Sequence, residues 1–173
     1  MTRRRLLLGP LVILVGCGGI TAEHPLTVPL GIQRDRVTTE LAKHKYCHAT
    51  PDGPPATVET FPRCHRPGTE WGESWVTARF DHDRLIELRR YERFSDDAVA
   101  TERWNQLVAD RSQVTPASDE AGSTLRGKLL EPGTRMVRAF RVDAETIVGV
   151  YLLTPTPPEQ ASILEAVIRV PRS

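Results

Sequence analysis

The sequence predicts an α+β fold: an antiparallel sheet built from two β-hairpins and covered by helices, in the order α-β-β-α-β-β-α. Three observations predict it. Apolar and polar residues alternate over Trp75–Phe80 and again over Leu85–Arg93, with the polar stretch Asp81-His82-Asp83-Arg84 between them; this is the pattern of a hairpin buried on one face. A second pair of strands is expected over 135–142 and 146–153, joined across Asp143-Ala144-Glu145. The segments flanking both pairs carry apolar residues at helical spacing instead.

The chain opens on a segment that does not belong to the fold. Arg3, Arg4 and Arg5 precede a charge-free apolar run, Leu6–Val15, which closes on Leu14-Val15-Gly16-Cys17. A run of about ten residues is short of the roughly 20 that span a bilayer. Residues 1–16 are therefore expected to be an export signal that is removed, and Cys17 occupies the lipoprotein-box position that receives a diacylglyceryl group. Each buried CH2 of its two or three acyl chains contributes about 0.8 kcal/mol, enough to keep the chain on its membrane. Residues 17–26 are read as a lipidated tether; its Gly18–Pro25 stretch has a coil dimension of about 16 Å, so the domain beyond it works near the bilayer. Gly18, where aspartate would signal retention at the inner membrane, points to the periplasmic face of the outer membrane. The expected location is the cell envelope.

Without residues 1–16 the chain keeps 20 basic and 22 acidic residues, a net charge of −2. That argues against a nucleic-acid partner, which would call for a strongly basic domain. Its 157 residues suit one domain, 27–173, large enough to bury its own core. Beyond Cys17 only Cys47 and Cys64 remain, and an even pair in an oxidising compartment predicts a disulfide, which stabilises by about 3 kcal/mol in the chain-entropy model. The same region allows a metal reading, because Cys47-His48 and Cys64-His65 repeat a Cys-His pair and His44 precedes His48 by four. Adjacent Cys and His side chains diverge, however, and zinc ligands are usually spaced by two or more residues. The bridge is expected, and no metal or cofactor.

Taken in order, Arg34–His44 reads as a helix with Val37 and Leu41 on one face and Lys43, His44 and Lys45 near its negative end. The cysteine segment follows, with Pro51, Gly53, Pro54, Pro55 and Pro62, and is expected to be a loop ordered by its bridge. After the first hairpin, Ser95 is expected to cap a second helix, with Asp96 and Asp97 in its first turn and a stripe of Ala100, Trp104, Leu107 and Val108 ending near Arg111. Residues 112–133, broken by Pro116, Gly122 and Pro132, read as a long loop. Of the second strand pair, Ile147–Leu153 is apolar on both faces and is expected to be the central strand. Thr156-Pro157-Pro158-Glu159 reads as a capping box opening a final helix with Ile163, Leu164, Val167 and Ile168. Helices start at 34 and 96, first strands at 75 and 135, second strands at 85 and 146, so the offsets of 62, 60 and 61 suggest a tandem repeat of 27–93 and 94–173. Each hairpin would have one face covered by helices and the other free.

Leu30-Gly31-Ile32-Gln33-Arg34-Asp35-Arg36-Val37, followed by Leu41, resembles the opening of a small α-β-β module shared by the small lipoprotein of the outer-membrane β-barrel assembly machinery and by the secreted β-lactamase inhibitor protein. Phe80-Asp81-His82-Asp83-Arg84-Leu85 resembles that module's hairpin turn, although Asp83 stands where the module carries glycine, and Gln33, Arg36 and Ala42 also depart from its pattern. The resemblance implies a non-enzymatic module that binds another protein of the envelope through its sheet face or loops. Trp71, Tyr91 and Arg89 are the candidate partner-binding residues, since aromatic residues and arginine concentrate in binding hot spots; Trp75 is assigned to core packing. Arg84, Arg89, Arg90 and Arg93 offer charge for anionic lipid headgroups, or form a solvated strand surface interleaved with Glu87 and Glu92.

No catalytic residue is expected. The sequence has no Gly-x-Ser-x-Gly elbow, no His-Glu-x-x-His, no Cys-x-x-Cys and no glycine-rich phosphate loop. Asp81, His82 and Asp83 form a cluster in print, but a hairpin tip lacks the buried surroundings that acid-base chemistry requires. A non-enzymatic binding or assembly lipoprotein is the function expected, with a carrier of lipid or a small ligand as the alternative, and a hydrolase without recognisable motif behind it.

Overall fold

The computed structural model describes residues 27–48, 57–64, 74–154 and 161–170. Cys17, the tether, Trp71, His65 and the Thr156–Glu159 capping box lie outside the described residues. Among the described residues ten elements follow one another: α1 (Arg34–Lys43), β1 (Val58–Pro62), β2 (Ser74–Asp81), β3 (Arg84–Phe94), α2 (Asp97–Val114), α3 (Asp119–Thr124), a π-helical turn (Leu125–Leu129), β4 (Thr134–Arg141), β5 (Thr146–Leu153) and β6 (Ala161–Arg169). All six strands form one antiparallel sheet in the order β1-β2-β3-β6-β5-β4. Two three-stranded meanders therefore meet through their last strands, β3 against β6.

The α+β class and the antiparallel sheet agree with the sequence; the finer arrangement needs four corrections. The segment read as a final helix is β6, and it lies at the centre of the sheet. Ile163, Leu164, Ala166, Val167 and Ile168 fit a helical stripe, but a strand buried on both faces is also a continuous apolar run, and the two cannot be told apart by period. Burial on both faces is likewise why β5 resembled a central strand, although it lies one place in from the edge. β1 stands between α1 and the hairpin where only a loop was expected. Finally, the 112–133 segment is mostly helical: α2 runs on to Val114, and α3 and the π-helical turn follow.

The expected helix-hairpin repeat does not map onto the sheet. Counted from its own edge, the 74–94 hairpin fills the second and third positions, whereas the 134–153 hairpin fills the first and second. Equal offsets in sequence mark unequal places.

Local chemistry explains the elements that were anticipated. The β2–β3 hairpin turns on His82 and Asp83, both at positive φ, 45° and 64°, as a two-residue turn that follows the strand twist requires. Between Arg79 and Phe80 the partner skips from Glu87 to Leu85, so Ile86 is an extra residue and Leu85 and Leu88 fall on the same face. Asp96, rather than Ser95, caps α2; its carboxylate accepts from the backbone N–H groups of Ala98 and Val99 at 2.7 and 3.0 Å. The helix buries Ala100, Trp104, Leu107 and Arg111.

Two cores result. On the first face of the sheet, α1 and α2 pack Val37, Leu41, Ala100, Trp104 and Leu107 over Phe61, Val76, Leu88, Val150, Ile163 and Val167. On the second face, Ala121 and Leu125 of α3 and the π-helical turn cover Ala139, Ile147, Tyr151, Leu164, Ala166 and Ile168. The face expected to stay free is thus covered over its β4–β5–β6 half. Gly149 is required there: a Cβ at this position would lie 2.6 to 2.8 Å from the Tyr151 ring.

Both sheet edges are partly occupied. Cys47 donates its N–H to the carbonyl of Pro62 at 2.9 Å and Cys64 donates to Lys45 at 2.8 Å, so the chain after α1 pairs along the end of β1. The Cys47–Cys64 disulfide, with Cα atoms 5.0 Å apart, fastens this pairing. At the other edge Ser118 donates to Ala139 of β4 at 2.9 Å, beside an Ala117–Phe140 bridge.

Candidate functional site

Strand pairing lays a continuous row across the second face: Pro62, Trp75, Tyr91, Leu164, Tyr151 and Val137 stand side by side on β1, β2, β3, β6, β5 and β4. The last three are covered by α3 and the π-helical turn or packed against that core. Tyr91 is partly buried and also packs against that core, whereas Trp75 belongs to neither core cluster. Their rings stack with centroids 5.0 Å apart and planes 10° from parallel, and both residues are half-buried. The exposed Arg93 sets its guanidinium carbon 5.1 Å from the centre of the Trp75 ring. Trp75, assigned to the core from sequence, instead belongs to this half-exposed stack and lies outside both core clusters.

Charge surrounds the stack. In the next rows along β2 and β3, Glu87 accepts from Arg79 at 2.6 Å and from Arg89 at 2.5 Å. Burial pushes the Glu87 carboxyl up, but the two guanidinium groups more than offset it and hold the group below the ordinary carboxylate range. Arg89 also pairs with Glu131 at 2.9 Å. Burial disfavours its charge, yet hydrogen bonds to Tyr91 and Glu87 and the nearby Glu131 leave its pKa raised. Of the sequence candidates, the structure thus brings Tyr91 and Arg89 together on one face; Trp71 lies outside the described residues.

The arginine run does not form one surface. Alternation along β3 sends Arg89 to the second face and Arg90 to the first, where it is 2 % exposed. Arg90 bonds Glu165 of β6 at 2.7 Å, Arg111 of α2 bonds the same carboxylate, and Arg103 of α2 grips Glu92 through two contacts at 2.9 and 3.1 Å. The Trp104 indole N–H donates to the Val150 carbonyl at 3.0 Å, and Tyr46 hydrogen-bonds Ser74 at 2.8 Å. Arg90 and Glu92, read as part of a solvated strand, are buried members of an ionic core that fastens α2 to the junction of the two meanders. Sequence reasoning missed Glu165 and Arg111 because one was placed on a helix and the other at a helix end.

A second charged chain joins three elements. Arg34 of α1 pairs with Asp83 of the hairpin turn at 2.6 Å and with Glu59 of β1, while its guanidinium lies 4.0 Å from the Phe80 ring centre. Glu59 also meets His48 at 3.1 Å, and His48 stands edge-on to Phe61. Cys47 and Cys64 are bridged to each other, and among the described residues no group of three or more His, Cys, Asp and Glu could hold a metal ion. Asp81 and His82 pair at 2.9 Å at the hairpin tip, where their side chains are 64 % and 94 % exposed. Arg84 reaches back to the Gly31 carbonyl at 2.9 Å. No helix among the described residues is long and apolar enough to cross a membrane.

No protein-family model matches this chain, and comparison with curated proteins and with solved structures gives no match either.

Proposed function

We propose that this chain is a lipid-anchored module of the cell envelope that acts without catalysis, by binding another protein through the β1–β3 half of the second sheet face. The observation that carries the reading is the half-exposed Trp75–Tyr91 stack with Arg93 against it. Tryptophan, tyrosine and arginine are the residue types that dominate binding energy at protein interfaces, and here all three stand on the rigid strands β2 and β3. The anchored half of the reading is supported by the Arg3–Arg5 cluster, the charge-free apolar run and Cys17.

Two measurements test the two halves. Mass spectrometry of the membrane-extracted protein is expected to find an acylated Cys17 at the N-terminus; an intact Met1 contradicts the anchor. Tyr91→Ala is expected to weaken capture of the partner by about thirtyfold, the equivalent of about 2 kcal/mol, in a protein that still unfolds cooperatively above the assay temperature. Full capture by a folded Tyr91→Ala protein contradicts the binding face.

A further inference from the structure

We propose that the occupant of this face is an acidic segment of a partner protein, bound at the end of the sheet opposite the membrane; the proposal rests on the anchored, protein-binding reading above. Charge comes first. Three arginines on this half of the face, Arg79, Arg89 and Arg93, meet two carboxylates, Glu87 and the Glu131 that pairs with Arg89, so a ligand laid across it meets a surface with one net positive charge, carried by Arg93. Arg93 and Arg79 are exposed, and Glu87 is already committed to Arg79 and Arg89. An acidic chain gains from these cations, and its repulsion by Glu87 is reduced because Arg79 and Arg89 already neutralise that carboxylate. The Trp75–Tyr91 stack beside them supplies apolar surface for an aromatic or aliphatic side chain of the same segment.

Position separates a protein from a lipid surface of the same charge. The chain enters the fold beside the β2–β3 turn, where Gly31 donates to the Leu85 carbonyl at 2.7 Å and Gln33 bridges Arg84. Tyr91 lies seven residues further along β3 from Arg84, roughly 23 Å at the usual strand rise. On the anchored reading, a chain held to the bilayer through the residues before 27 would carry the β2–β3 turn nearer that bilayer and the stack farther from it.

The test uses the full-length protein, held through its C-terminus in detergent micelles and panned against a library of short random peptides. Peptides rich in Asp and Glu around one aromatic or aliphatic residue are expected to be selected. A selected acidic peptide is expected to bind about tenfold more weakly to Arg93→Glu and to Arg79→Gln, each in a protein that still unfolds cooperatively, and to weaken as salt is raised. Trp75→Ala is expected to lose the apolar part of the affinity. Selection of neutral or basic peptides, or acidic binding untouched by the arginine variants, overturns the proposal. So does binding to phosphatidylglycerol vesicles that requires the same arginines, or self-association that Trp75→Ala abolishes. A photo-crosslinking residue in place of Thr77, used in intact cells, distinguishes the levels of failure. Adducts on a non-acidic protein segment sink the acidic partner and leave the binding reading standing; adducts to lipid alone sink both.

Discussion

Arg90 shows how much can turn on one position. It sits where β3 meets β6, opposite Glu165 on one side and Val76 on the other, and its charge is answered by Glu165 and Glu92. Removing one partner of a buried pair leaves the other charged and desolvated, which costs about 3–5 kcal/mol. Arg90→Ala is therefore expected to lose that much in urea denaturation, whereas replacing Arg90, Arg111 and Glu165 together by apolar residues of similar volume is expected to cost far less or to stabilise. At this scale the sequence was half legible. Arg89-Arg90 on an alternating strand must point to opposite faces, and the alternation puts Arg90 on the side of Leu88, but nothing local says what answers a charge buried there. The answer depends on Glu165 and Arg111, which come from two other elements, and on Glu92 two residues along. Tyr91 and Arg89, by contrast, were legible as face residues, because their strand and its register followed from the alternation around a recognisable turn.

Elements were legible where local signals agreed and illegible where only tertiary context decides. The β2–β3 hairpin, α1, α2 and the β4–β5 pair carry period, turn or capping residues that specify them without help. β1 has five residues, Val58-Glu59-Thr60-Phe61-Pro62, too few to show a period, and becomes a strand by pairing with β2. β6 is specified by its neighbours on both sides, which no reading of its own composition supplies. The Cys47–Cys64 bridge acts at this level, joining the end of α1 to the end of β1 around a proline-rich segment. A Cys47→Ser/Cys64→Ser protein is expected to lose about 3 kcal/mol of unfolding free energy, mostly because its unfolded chain is less restricted. Equal denaturation midpoints for this variant and the parent would show that the backbone pairing of Lys45–Cys47 along β1 is sufficient without the bridge.

For the molecule as a whole, carboxylates held by arginines set the response to acid. Burial raises both Glu87 and Glu92, but Arg89 and Arg79 on the first, and Arg103 and Arg90 on the second, leave each below its ordinary value of 4.5. A folded pKa depressed in this way contributes stability that is fully present above the unfolded value and is lost as pH falls through the folded one. Unfolding free energy is expected to be flat from neutral pH down to about 4.5 and to fall below it, with a shallower fall in Glu92→Gln, measured by urea titration across that range. If the parent and Glu92→Gln lose stability in parallel, Glu92 is not part of the acid response.

The strands bordering the sheet matter for a different reason. If the chain is held to a membrane by a lipid, as proposed above, it meets its own copies in two dimensions, at an effective concentration far above that of a dissolved protein. In that setting a long bare border would template the next molecule, strand upon strand, into a growing ribbon. Here, among the described residues, one border pairs at its end with residues 45–47 and the other with Ala117 and Ser118, which shortens the run open to another strand on each side. For a chain so anchored, covering the ends of both borders would hinder that pairing and leave the broad flank of each copy to a dissimilar neighbour.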